Sequence, residues 1–287
     1  MTKPIGLDIT TPLGHHLGLS VFKPKSSNYK SIIISSATGV LQHFYFKFAT
    51  YFSELGYTVY TFDYSGIGKS NPNTTHLKQN TINLKDWGEN DQTSVISYAK
   101  AKNPNHKLIV ITHSIGGQIL AFNKNMTNID AIITVASQSG YWKLWKGYER
   151  FKMFAFWYAL IPSLTPLFGY FPAKKIKLFE NLPKNMVYQW RHWGKHKDYI
   201  LGEFNFEDLQ FKNFNKHLLA LSFPNDEYAS KSSVDWLAKQ FINAQVNRQH
   251  IIPEDLNISN VGHFGFFRSQ FKESLWKMTN EWIENNT

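Results

Sequence analysis

The sequence predicts an α/β protein with a mostly parallel central sheet, helices on both faces and an inserted helical segment. Three observations predict it. Between Ile32 and Ser137, short apolar strands alternate with helix-periodic stretches, the pattern of βαβ units. The alternation stops at Gly140 and resumes near Lys216. The chain has 287 residues, 43% of them hydrophobic, enough for one large core with an insertion.

Taken in order, "LDITTPLGHHLGLSVFKP" reads as two short strands with a turn near Gly14. "KSIIISSATG" holds a buried strand, Ile32 to Ser35, ending in small residues. "HFYFKFATYFSELG" spaces its apolar residues for a helix that stops at Gly56. "YTVYTFDYSGIGKS" is a strand closed by a glycine-rich turn, and Asp86 to Lys102 reads as a helix capped by Asp86. "HKLIVITH" is a continuous apolar run that suits a central parallel strand. A helix follows "SIGG", then "IDAIITVAS" is the next strand. From Tyr141 to about Asn205 no alternation is found, with Pro162, Pro166, Pro172 and Pro183 as breakers. "KHLLALSF" is then a strand, Lys231 to Ala244 a helix, Gln249 to Ile258 a strand and Phe267 to Asn286 a terminal amphipathic helix. The expected organisation is a core in two parts, 1–140 and 206–287, with a lid at 141–205.

Composition narrows the function. There is no cysteine, which excludes disulfides and thiolate metal sites. The opening "MTKPIGLDIT" is polar and lacks the apolar stretch of a secretory signal, so a cytoplasmic location is expected. The formal charge is +10, and its placement matters more than its sum. Tyr141 to Ile200 holds eleven Lys and Arg against three acids, a formal +8, and five of the nine tryptophans. Within it, Met153 to Phe171 runs nineteen residues without a charge, the lower limit for a membrane span. Pro162 and Pro166, and the position inside an α/β core, favour a lid over an apolar pocket instead. Basic residues beside tryptophans also suit contact with an anionic lipid surface. No nucleic-acid partner is expected: there is no reader motif, and the basic residues interleave with large apolar ones.

"VITHSIGGQ", Val110 to Gln118, carries the chemistry. A strand turning abruptly into a helix raises a serine, and small residues must flank it, the G-x-S-x-G elbow. Here the pentapeptide is Thr112, His113, Ser114, Ile115, Gly116, with Thr112 in place of the first glycine. "SSATGV" follows the earlier strand where an oxyanion-stabilising N–H is needed, which points to the N–H groups of Thr38 and Ile115. "DYSGIGKS" lacks the spacing of a phosphate loop and reads as architecture. Of eleven histidines, His15, His16, His76 and His106 read as surface or turn residues. His263, in the glycine-flanked loop "NVGHFGFF", is the candidate base. "LALSFPNDEYAS" ends a strand in a polar turn, offering Asp226 first and Glu227 second as the orienting acid.

The stretches "SSATGVLQHFYFKFA", "YTFDYSGIGKS", "ITHSIGGQ", "VASQSGYW", "SFPNDEYAS" and "GHFGFFR" together resemble the α/β-hydrolase superfamily. More narrowly they resemble bacterial predicted hydrolases near the serine aminopeptidase and monoacylglycerol-lipase-like branch. The resemblance implies Ser114 as nucleophile, His263 as general base, Asp226 as orienting acid and backbone donors at Thr38 and Ile115. Two residues depart from the pattern: Thr112, and Ser36-Ala37 where many relatives have His-Gly. The expected activity is cleavage of a small-molecule carboxylic ester with an apolar acyl group, through an acyl-enzyme, with no metal or organic cofactor. Two alternatives stand beside it. One is a peptidase or amidase using the same triad; the other is a non-catalytic lipid- or membrane-binding protein on a hydrolase scaffold.

Overall fold

Eight strands form one sheet: β1 (Ile5–Thr10), β2 (His16–Phe22), β3 (Lys30–Ser35), β4 (Thr58–Phe62), β5 (Lys107–His113), β6 (Ala131–Val135), β7 (His217–Ser222) and β8 (Gln245–His250). Their spatial order is β1-β2-β4-β3-β5-β6-β7-β8 in this computed structural model, which describes residues 3–71 and 77–287. His76 lies outside the described residues. β1 and β2 pair antiparallel around a turn at Gly14 (φ 78°), and β2 pairs antiparallel with β4. From β4 to β8 every pairing is parallel. The chain runs from β3 to β4 on one side and returns to β5 on the other. The carboxyl ends of β3 and β5 therefore flank a topological switch point, where α/β sheets open a crevice.

The α-helices among the described residues are α1 (Phe46–Glu54), α2 (Leu84–Asp86), α3 (Thr93–Lys102), α4 (Ile115–Gln118), α5 (Gly147–Ala155), α6 (Ile161–Phe168), α7 (Lys184–Lys195), α8 (Lys231–Ala238) and α9 (Lys277–Asn286). Strand side chains alternate between two buried layers. Ile33, Val110, Ile132 and Leu218 face one, with Ile119 and Leu237. Ile32, Ile34, Ile109, Ile111 and Leu219 face the other, with Phe48, Phe52 and Trp276. Burial on both faces explains why these strands read as unbroken apolar runs. Each fully buried side chain of this size contributes about 1.5–3 kcal/mol.

Several element boundaries differ from the sequence reading. The helix expected from Asp86 begins at Leu84, and Asp86 is not its cap. Asn83 holds that position, and the Asp86 carboxylate instead accepts from the Asn83 N–H at 2.8 Å. Trp87–Gln92 continues as a π-helical turn into α3. α8 ends at Ala238 rather than Ala244. β8 begins at Gln245, ahead of the expected Gln249, and Pro253 opens a 3₁₀ turn before Ile258. β8 is the sheet's edge strand and its first three residues are exposed, so no apolar pattern marks where it starts. Short 3₁₀ and π turns precede α9, which begins at Lys277.

Pro162 and Pro166 do not break the segment that holds them. α5, a π turn at Phe156–Leu160 and α6 form one run, Gly147–Phe168, of 22 residues. In the π turn the Ile161 N–H bonds to the Phe156 carbonyl, five residues back. That shift places Pro162 in the first turn of α6, where its missing N–H is not required. Gly169 (φ 76°) ends the run. The segment between β6 and β7, which carries α5, α6 and α7, is anchored by Trp157. Its ring is fully buried and its Nε1–H donates to the Gly140 carbonyl at 3.0 Å. α7 passes so close that a Cβ on Gly194 would stand 2.3 Å from the Trp157 ring.

Candidate active site

Ser114 sits at the β5–α4 corner with φ 52° and ψ −116°. A non-glycine residue in that region stores about 1–3 kcal/mol of backbone strain. The corner is held by the Ser114 N–H, which donates to the Val135 carbonyl of β6 at 3.0 Å. Its tightness demands glycines. A Cβ on Gly116 would stand 2.5 Å from the Ser35 carbonyl oxygen; one on Gly117 would stand 2.4 Å from Ser137 Oγ and 2.9 Å from Thr112 Oγ1. The second pair accounts for Thr112. Its side chain is fully buried, bonded to Ser137 Oγ at 3.2 Å, in space that Gly117 leaves open.

The loop after β3 lies beside this corner. Ser36, Ala37 and Thr38 are buried. In place of a His-Gly pair, the Ser36 carbonyl accepts from Tyr64 Oη at 3.3 Å and the Ala37 N–H donates to Tyr45 Oη at 2.9 Å. Among the described residues the N–H groups of Thr38 and Ile115 donate to no other group of the protein, and buried Thr38 Oγ1 also lacks a partner. The glycine-rich turn after β4 is architectural. Asp63 accepts from the N–H groups of Gln42 at 2.7 Å and Lys69 at 2.8 Å, tying the turn to the segment before α1.

Asp226 and His263 come from the loops after β7 and before α9. The Asp226 carboxylate is fully buried. Its Oδ1 accepts from the N–H groups of Tyr228 at 2.9 Å and Ala229 at 2.8 Å, and His263 Nδ1 lies 3.0 Å from both carboxylate oxygens. Glu227, one residue on, turns to solvent and pairs with Lys152 at 2.9 Å. That hydrogen bond is the main reason the Lys152 ammonium is pushed up to about 12. The two adjacent carboxylates are thus separated by environment.

Ser114 and His263 line the same cavity, about 690 Å³ in volume, with Thr38. The rest of the lining is mostly apolar, with Phe156, Leu160, Leu164 and Trp190 from the segment between β6 and β7, but it also includes the charged Glu149, Lys152 and Glu227. Ser114 Oγ makes its hydrogen bonds with Gln138, at 3.5 Å to Oε1 and 3.4 Å to Nε2. Among the described residues no hydrogen bond joins it to His263, a looseness common in ligand-free sites. Gln138 is held in turn by Gln118, whose amide donates to its Oε1 at 3.2 Å, and by the Tyr228 carbonyl, which accepts from its Nε2 at 2.9 Å.

Gln138, Tyr45 and His113 took no part in the site as read from sequence. The signal for Gln138 was positional: it follows β6, next to β5, at the strand ends where loops converge. Tyr45 sits inside a helix-periodic stretch and looks like ordinary core. Of the other histidines named from sequence, His15, His16 and His106 do not line the cavity. His16 pairs with Asp8 at 3.1 Å, and His106 bonds Ser31 at 2.9 Å.

A family described as serine aminopeptidase, S33 matches residues 29–187, more than half of the chain. No curated protein matches the sequence. Solved structures share the fold at low identity. A thermostable carboxyl esterase from Bacillus coagulans, in complex with glycerol, is 10% identical, with a TM-score of 0.69 over 100% of this chain and 99% of that one. A Pyrococcus furiosus esterase is 14% identical, with a TM-score of 0.62 over 99% and 92%. An α/β serine hydrolase from Xanthomonas campestris, described as lacking a lid, is 15% identical, with a TM-score of 0.56 over 98% and 96%.

Proposed function

The chain belongs to the serine aminopeptidase S33 family of α/β hydrolases, and from that premise we propose that it cleaves carboxylic esters with an apolar acyl group. The observation that carries the reading is the shared cavity: Ser114 on a strained corner, His263 fixed by a buried Asp226, and apolar walls beyond.

In this reading Ser114 Oγ attacks the ester carbonyl while His263 Nε2 takes its proton. Asp226 holds the proton of His263 on Nδ1 and balances the imidazolium that forms. The free N–H groups of Thr38 and Ile115 receive the developing oxyanion. Protonation by His263 expels the alcohol, and water, activated by the same imidazole, releases the acid. Ser114 must first turn from Gln138 toward His263, a rotation of one side chain. The segment at 141–205 acts as the lid over the acyl pocket.

Labelling with a fluorophosphonate, read by mass spectrometry of the intact protein and its peptides, tests this. The expected result is one adduct on Ser114 that disappears in His263→Ala. A folded wild-type protein that takes up no label overturns the proposal. Acyl esters graded by chain length, run beside N-terminally free aminoacyl amides, separate an esterase from the peptidase alternative. Faster turnover of the amides would favour the latter.

A second reading concerns the lid's outer face. Gly147–Phe168 is long and apolar enough to cross a membrane, with only 17% of its most apolar window buried. Tyr148, Phe151 and Leu167 are 69%, 63% and 75% exposed, and much of the chain's excess positive charge lies nearby. Trp157 and Ile161 of the same helix are fully buried against the body, which favours a helix lying on an anionic lipid surface over one crossing it. Co-sedimentation with anionic vesicles should weaken as salt rises and fail for Phe151→Asp. Binding indifferent to both would exclude this contact. No nucleic-acid partner is proposed.

A further inference from the structure

We propose that His113 is a positioning residue: through Tyr45 and the His263 backbone, it fixes the loop carrying Thr38 relative to the loop carrying the general base. The proposal rests on the serine-hydrolase reading above and extends it to two residues outside the triad.

Three hydrogen bonds make the link. The Ala37 N–H donates to Tyr45 Oη at 2.9 Å, Tyr45 Oη lies 2.9 Å from His113 Nδ1, and His113 Nε2 lies 2.9 Å from the His263 carbonyl oxygen. Tyr45 and His113 are fully buried. The chemistry of the end groups fixes the direction. A carbonyl only accepts, so His113 carries its proton on Nε2. Burial, and then the neighbouring His263, hold the His113 imidazole well below its usual range, so the ring is neutral and Nδ1 accepts. Tyr45 therefore donates to His113 and accepts from Ala37. Each donor along the chain meets one acceptor, with Tyr45 Oη serving once as each.

Both ends meet the reacting groups. Ala37 directly precedes Thr38, whose N–H faces the cavity in the proposed mechanism. His263 is gripped twice, at its imidazole by Asp226 and at its carbonyl by His113. The two imidazoles also pack with ring centroids 5.0 Å apart, and Phe267 closes the third side at 5.1 Å from His113. A shift of His263 by a fraction of an ångström misaligns proton transfer, while the apolar side chains assigned to the acyl group, Phe156, Leu160 and Leu164, come from another segment of the chain. The expected signature is a loss in kcat with KM preserved.

The test uses Tyr45→Phe and His113→Phe, which keep the volume and cut the chain, and His113→Gln, which restores a donor toward the His263 carbonyl. Rates are measured per folded molecule with a chromogenic ester. Each Phe variant should lose about tenfold or more in kcat, with KM changed less than about twofold. His113→Gln should recover part of the loss. The double variant should be no slower than His113→Phe alone, because a chain cut twice is still one chain. Unchanged kcat in both single variants, or losses that multiply, would overturn the proposal. Nitrogen-15 NMR of the imidazoles gives an arm independent of turnover. His113 should show a neutral ring with its proton on Nε2, and a proton on Nδ1 overturns the chain. Wild-type protein that refuses the fluorophosphonate sinks the hydrolase reading instead, and the NMR result separates that failure from this one.

Discussion

His263 Nδ1 lies 3.0 Å from Asp226 Oδ1, while Glu227, the adjacent residue, points to solvent and pairs with Lys152. Asp226→Asn leaves the shape intact but presents an amide that stabilises the wrong His263 tautomer. The expected loss in kcat is about 10³–10⁴-fold, with an unchanged thermal melt. Glu227→Gln removes one exposed ion pair and should alter kcat by less than about twofold. Equal losses in the two variants would refute the assignment of the acid.

The elbow tolerates Thr112 because Gly117 has no side chain. Gly117→Ala would drive a methyl to 2.4 Å from Ser137 Oγ, and overpacking of this kind costs about 1–3 kcal/mol. Pairing it with Ser137→Gly should restore much of the stability. Chemical unfolding of the three proteins checks this; a Gly117→Ala protein as stable as the parent contradicts the packing account.

Asp91 gives stability a dependence on pH. Burial lifts its carboxyl from 3.8 to about 7; Oδ2 accepts from the Ser65 N–H and Oγ, and among the described residues Oδ1 has no partner. The folded state keeps a proton that the unfolded chain releases. This contribution is therefore full below pH 3.8 and lost as pH rises toward about 7. The slope reaches at most about 1.4 kcal/mol per pH unit. Asp91→Asn removes the titration. Urea unfolding at pH 4.5 and 7.5 should show wild type weakening relative to the variant at the higher pH. A difference that does not move with pH would rule Asp91 out.

Leu160 and Leu164, from the segment between β6 and β7, line the same cavity as Ser114. Leu160→Trp fills part of its 690 Å³. Turnover should shift toward shorter acyl esters, with long-chain kcat/KM falling about tenfold or more and short-chain values nearly unchanged. A uniform loss across chain lengths would place the acyl group elsewhere.

The parts of the fold that were legible in sequence are those where burial is two-sided. β3, β5, β6 and β7 announce themselves as apolar runs, and Gly14 and Gly56, read as a turn and a helix stop, both have positive φ. β8 was misjudged because an edge strand with polar, exposed residues carries little pattern. Pro162 misled because a π turn upstream absorbs its missing N–H, an arrangement that composition does not reveal. Ser114, Asp226 and His263 were readable from chain order and flanking glycines. Gln138, Tyr45 and His113 were not, since their roles depend on which side chains meet across the sheet.

The bond from His113 to the His263 carbonyl spans 150 residues. A chain leaving the ribosome therefore exposes its serine corner long before the segment that steadies it exists. If the proposed mechanism holds, Ser114 gains its base only after His263, close to the end of the sequence, has been made and docked.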